Sequence, residues 1–128
     1  MSRSSISAGE IIRNILLEDE GVAAITGKVF PVATSSAQLP YILYRRSQLT
    51  QSPTKWGQPG ADAAIIEVVC YASTYVQSID LAEAVRAALD HQQGEADGMV
   101  MRSCFLTDAE ESWQDDAFVQ QLTFTIRI

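Results

Sequence analysis

Apolar and polar positions alternate along this chain in two rhythms, one helical and one extended. Ala8, Ile11, Ile12, Ile15 and Leu16 recur at helical spacing. Ser7-Ala8-Gly9-Glu10 ahead of them has the Ser-x-x-Glu form of a capping box, so the pattern predicts a first helix from about Ser7 to Asp19. Gly21 is expected to break it, with one further turn through Val22–Ile25 before Gly27. Ser73 or Thr74 then caps a second helix from about Tyr75 to Asp90, whose stripe is Ile79, Ala82, Val85 and Leu89.

The extended rhythm occupies most of the remainder. Val29-Phe30-Pro31 is a short piece whose proline suits a strand edge, and Leu39–Leu49 reads as a strand once Pro40 is passed. Asp62–Ala72 is apolar on both faces, as a central strand must be. Met99 to about Thr107 and Ala117–Ile128 close the chain, the last with period-two alternation over nearly its whole length. The expected fold is α+β, an antiparallel sheet of about four long strands with two main helices packed on it and a short extra strand near Phe30. The expected core is Ile12, Ile15, Leu16, Ile66, Val68, Ile79, Val85, Leu89, Leu122, Phe124 and Ile126. No linker, repeat or low-complexity tract divides residues 1–128, which are read as a single domain.

Composition agrees with a globular body: 47% hydrophobic and 20% charged residues leave no case for disorder or a fibrous repeat. The formal net charge of −7 argues against general nucleic-acid binding, which depends on basic side chains displacing counterions from phosphates, and against an anionic membrane surface. No apolar run reaches the length of a membrane span, and the first residues lead straight into a helix signal. The expectation is a chain made and kept in a cytoplasm.

Two connections stand out. Thr50–Gly60 is too long and too rich in Pro and Gly for a tight turn, and it carries Lys55 and Trp56. Trp56 either folds back onto the domain or anchors a partner, as Trp does at interface hot spots. The segment between the last two strands carries Asp108, Glu110, Glu111, Asp115 and Asp116 around Trp113, which predicts a strongly acidic hairpin tip.

Chemistry has little to work with. His91 is the only histidine, and it follows the second helix, where a dipole contact or plain exposure accounts for it. Cys70 and Cys104 each lie in an apolar strand-like run, as buried reduced thiols do. The acidic tip lacks the regular spacing of a calcium loop, and no glycine-rich phosphate cradle is present. No catalytic, cofactor or metal residue is nominated.

The order of elements resembles that of small tail-completion proteins of long-tailed bacteriophages and prophages. The likeness rests on Val22-Ala-Ala-Ile25 with Gly27, on Val29-Phe30-Pro31 and on Pro40-Tyr41-Ile42-Leu43-Tyr44. It continues through Ile66–Ala72 and Leu81–Leu89, and so covers nearly the whole chain. The resemblance implies a virion subunit, assembled in the host cytoplasm, that forms a homo-oligomeric ring, commonly a hexamer. Such a ring caps the tail tube and meets the head connector, without enzymatic activity or cofactor. Its partners would be tail-tube and head-connector proteins, with no direct nucleic-acid readout and no membrane. Lys55, Trp56, Asp108, Glu110, Glu111, Trp113, Asp115 and Asp116 are the interface candidates. The rival readings are another small virion subunit (head closure or tail tube), a thiol enzyme pairing Cys70 or Cys104 with His91, and a module binding a ligand between sheet and helices.

Overall fold

The computed structural model describes residues 4–34, 37–51 and 62–128. Helix α1 (Gly9–Glu18) starts where the periodicity places it, but without the capping box. A single 3-10 turn (Ser5–Ser7) leads directly into the helix: Ser7 N–H bonds Ser4 O at 2.9 Å, Ala8 N–H bonds Ser5 O at 3.1 Å, and within the helix Ile11 N–H bonds Ala8 O at 3.1 Å, with no side-chain cap at Ala8. The end of α1 is set by Asp19 rather than Gly21. Asp19 is extended (ψ 125°), and its Oδ2 accepts the Val22 N–H at 3.0 Å, capping a short helix α2 (Glu20–Ala23) that contains Gly21.

Helix α3 (Tyr75–Leu89) is capped by Thr74, whose Oγ1 accepts the Gln77 N–H at 3.1 Å. Its buried stripe is Ser78, Leu81, Val85, Ala88 and Leu89, which leaves the expected Ile79 and Ala82 half-buried. Ser78 causes the difference. Fully buried, it donates to Tyr75 O at 2.6 Å and accepts from Gln120 Nε2 at 3.3 Å, so a polar residue that periodicity would turn outward lies against the sheet.

The sheet is mixed rather than antiparallel throughout. Its strands are β1 (Val29–Pro31), β2 (Tyr41–Thr50), β3 (Ala63–Ala72), β6 (Ser103–Gln114) and β7 (Ala117–Arg127), in the order β1-β2-β3-β7-β6. β1 joins β2 in parallel, Phe30 beside Leu43, and every other pair is antiparallel. The single strand expected from Met99 to Thr107 is divided at Arg102, whose N–H bonds Arg127 O at 2.7 Å. Before it, β4 (Gly94–Ala96) and β5 (Met99–Met101) form a separate small hairpin, turned by Asp97 and Gly98 at φ 51° and 81°. Gly94 lets that hairpin close on α1: a Cβ there would lie 3.0 Å from Ile11 Cγ2. Ala96, Met99 and Met101 thereby join the core.

Helices α1 and α3 cover one face of the sheet. Along β3 the residues Ala64, Ile66, Val68, Cys70 and Ala72 are fully buried beneath them, while Ile65, Glu67, Val69 and Tyr71 on the other face are half-buried. Of the expected core, only Ile15 and Ile79 fall short of full burial, and Ile15 still packs on the cluster. The space between sheet and helices is filled by these side chains.

Candidate assembly surface

The acidic segment lies within a strand. β6 runs to Gln114 and pairs with β7 along its length, and the turn itself is only Asp115 and Asp116, at φ 50° and 62°. Both central residues in the left-handed region give the tight two-residue turn whose twist matches the flanking strands, a conformation that Asp tolerates. The expected broad acidic tip is therefore a long acidic edge strand ending in a two-residue turn.

A bulge decides which acidic residues face which way. Between Leu106 and Asp108 the register with β7 slips by one residue, and Thr107 Oγ1 donates to Thr123 O at 3.2 Å. A slip of one residue exchanges the faces of everything beyond it. Glu111 and Trp113, opposite Gln120 and Phe118, thus share the helix side, whereas Asp108 and Glu110, opposite Thr123 and Gln121, share the other. β2 carries the matching irregularity between Arg46 and Gln48, where Ser47 Oγ donates to Ile65 O at 3.4 Å.

On the helix side, the far end of the hairpin and the start of α3 build an aromatic cluster. Trp113 meets Phe118 edge-on with ring centroids 4.7 Å apart, and Tyr75 meets Phe118 from the other direction at 5.9 Å. A polar network holds it. Glu111 Oε2 accepts from Tyr75 Oη at 2.9 Å and from Gln120 Nε2 at 3.0 Å. The bonds from Gln120 and Tyr75 hold the Glu111 carboxyl below its ordinary pKa, and the same contact with Glu111 raises the Tyr75 phenol. Trp113 stays 56% exposed and Tyr75 45%. An apolar surface fixed by a satisfied network yet open to solvent is the character of a protein contact.

On the opposite face Tyr41 stacks on Tyr71 at 4.7 Å and 16°, and Phe30 closes on Tyr41 at 6.4 Å. Burial raises both tyrosine pKa values, and the charge of Asp115 adds to the shift, which sets the hairpin turn near this stack. A cavity of about 300 Å³ lies beside it, lined by Leu43, Val69, Tyr71, Val119 and Gln121 among others. It lies on the face away from the helices, not between sheet and helices.

The interface candidates therefore separate. Glu111 and Trp113 come together; Asp108 and Glu110 lie on the other face; Asp115 and Asp116 form the turn. Lys55 and Trp56 lie outside the described residues. Tyr75 and Phe118 complete the surface and had no signal in the sequence beyond being aromatic at the start of an element.

Among the described residues no hydrogen bond joins the His91 ring to either thiol. Cys70 and Cys104 are fully buried, and burial pushes both thiols up to about 12, so the nucleophilic thiolate is scarcely populated at neutral pH. His91 is linked to Cys104 only through its backbone, N–H to O at 2.7 Å, and its exposed ring lies against Phe105 and 3.7 Å from Asp90. Among the described residues no group of three or more His, Cys, Asp or Glu side chains is placed to hold a metal ion, and no helix is long and apolar enough to cross a membrane.

Residues 10–128 match the family model described as "Tail completion protein gp17". No curated protein matches in sequence. Among solved structures, a chain from the virion of a native gene transfer agent particle superposes with a TM-score of 0.77, at 17% identity and over 98% of each chain. At that identity the likeness concerns the fold.

Proposed function

The chain belongs to the tail completion protein gp17 family, and from that membership we propose that it is a structural subunit of a phage-type tail, forming a ring that ends the tail tube and joins it to the head connector. The observation that carries this reading is the family match over residues 10–128. The geometry supports it: the chemistry-bearing side chains are buried or solvated singly, while the end of the β6–β7 hairpin and the start of α3 present Trp113 and Tyr75 to solvent on a braced polar network. A terminator acts by binding and by blocking further addition. It needs rigid, complementary surfaces and no reacting group. Ring closure from identical subunits requires two different surfaces on each, since the contact is heterologous.

The test is removal of this chain from a host that produces particles. Tails of abnormal length and heads left without tails, seen by electron microscopy and reversed by supplying the chain in trans, support the proposal. Intact particles with tails of normal length in its absence contradict it.

A further inference from the structure

The two edges of the main sheet carry opposite charge. β1 shields β2 only through Tyr44, with Ile42 N–H on Lys28 O at 2.9 Å and Val32 N–H on Tyr44 O at 2.8 Å. From Arg45 to Thr50 no strand of the described residues lies outside β2, and Arg45, Arg46, Ser47 and Gln48 are exposed. Arg45 is paired to Glu67 at 2.9 Å, whereas Arg46 has no ion pair among the described residues. Beside this edge runs a groove of about 260 Å³ lined by Ile6, Pro31, Val32, Tyr44, Arg45 and Arg46, with Ser7, Gly9 and one carboxylate, Glu10, at its α1 side. Its rim is apolar: Ile6 is 63% and Val32 67% exposed. Val32 also holds φ at 62°, a conformation that a β-branched residue rarely adopts.

The opposite edge is β6, whose outer side is unpaired among the described residues and which carries Asp108, Glu110 and Glu111. The register places Arg45, Glu67, Thr123 and Asp108 on one line across the sheet. Direction agrees too. β2, β3, β7 and β6 are antiparallel in succession, so β6 of one copy laid beside β2 of an identically oriented next copy is antiparallel to it, the arrangement of a sheet continuing across the contact.

We infer that the Arg45–Thr50 edge and its groove receive the acidic β6 edge of a second copy of this chain, with Asp108 and Glu110 of one subunit set against Arg45 of the next on the face away from the helices, and Arg46 adding its positive charge to the edge from the helix side. The contact is head to tail, each subunit giving one edge and receiving the other, and it rests on the ring reading above. Charge complementarity selects this occupant: the chain as a whole is strongly acidic, and Arg45-Arg46 is its one pair of adjacent cations.

The test is charge reversal followed by native mass spectrometry across a range of concentrations. Two variants are needed, one carrying Arg45→Glu with Arg46→Glu and the other Asp108→Lys with Glu110→Lys, each checked for native circular dichroism. Each alone is expected to weaken association by roughly tenfold or more, because like charges then meet at every contact. An equimolar mixture of the two is expected to restore it, since every contact in an alternating ring is again between opposite charges. Wild-type stoichiometry in either variant overturns this contact and leaves the ring reading standing. A wild-type chain that stays monomeric at every concentration overturns the ring reading and this contact with it.

Discussion

Trp113 and Phe118 face each other across the β6–β7 pair, edge to face with centroids 4.7 Å apart, and Trp113 nonetheless leaves more than half of its surface in water. The ring is braced from below and open above. Removing it should therefore cost little in the isolated chain and much in assembly. Trp113→Ala is expected to lower stability by about 0.5–1.5 kcal/mol, the scale of one aromatic pair, while strongly reducing tail joining. Thermal unfolding alongside counts of joined particles checks this; normal joining by the variant would remove Trp113 from the contact surface.

Phe124 is the opposite case, fully buried where β7 meets Ile66 of β3 and Leu106 of β6. Phe124→Ala is expected to cost about 3–5 kcal/mol, through lost burial and the cavity left behind. Denaturant unfolding should show an earlier midpoint, and an unchanged midpoint would contradict the core described above.

Cys70 and Cys104, both pushed up to about 12 by burial, should resist alkylation in the native state at neutral pH and react together once denaturant unfolds the chain. Mass spectrometry after a timed iodoacetamide pulse reads this directly. Rapid labelling of either thiol in folded protein would reopen the case for a reactive cysteine.

Asp90 ties the end of α3 to the sheet: its Oδ1 accepts the Leu106 N–H at 2.9 Å, with His91 and Arg86 close by. That backbone bond, and then the neighbouring charges, hold its pKa below the ordinary carboxylate value. A depressed folded pKa means a contribution that is complete above the unfolded value of about 3.9 and lost as pH falls through the folded one. Asp90→Asn should therefore be less stable than wild type near neutrality and lose less on acidification below about pH 4. Parallel acid-unfolding curves of equal steepness would show that Asp90 plays no part.

The helices and the buried face of β3 were legible because their signal is periodic and the burial is one-sided, as at Ile12, Leu16, Ile66 and Val68. β6 was misread beyond Thr107 for a physical reason. On an edge strand exposed on both faces, Asp108, Glu110 and Glu111 are tolerated and serve to discourage stray pairing, so composition resembles a loop while the backbone is extended. The Asp115-Asp116 turn had a usable signal, two residues that accept positive φ between alternating strands. Nothing local marks the bulge at Thr107 or the parallel joining of β1, which depend on partners distant in sequence. The bulge sets which acidic residues fall on the helix side: it puts Glu111 and Trp113 there with Tyr75, and Glu110 takes the other face by the ordinary alternation of a strand.

The central claim is that copies of this chain assemble into a closed ring. Mass in solution combined with negative-stain imaging of the purified chain tests it most directly. The account predicts one discrete oligomeric mass and ring-shaped particles with an open centre; a strict monomer at high concentration, with no rings in the images, would contradict it.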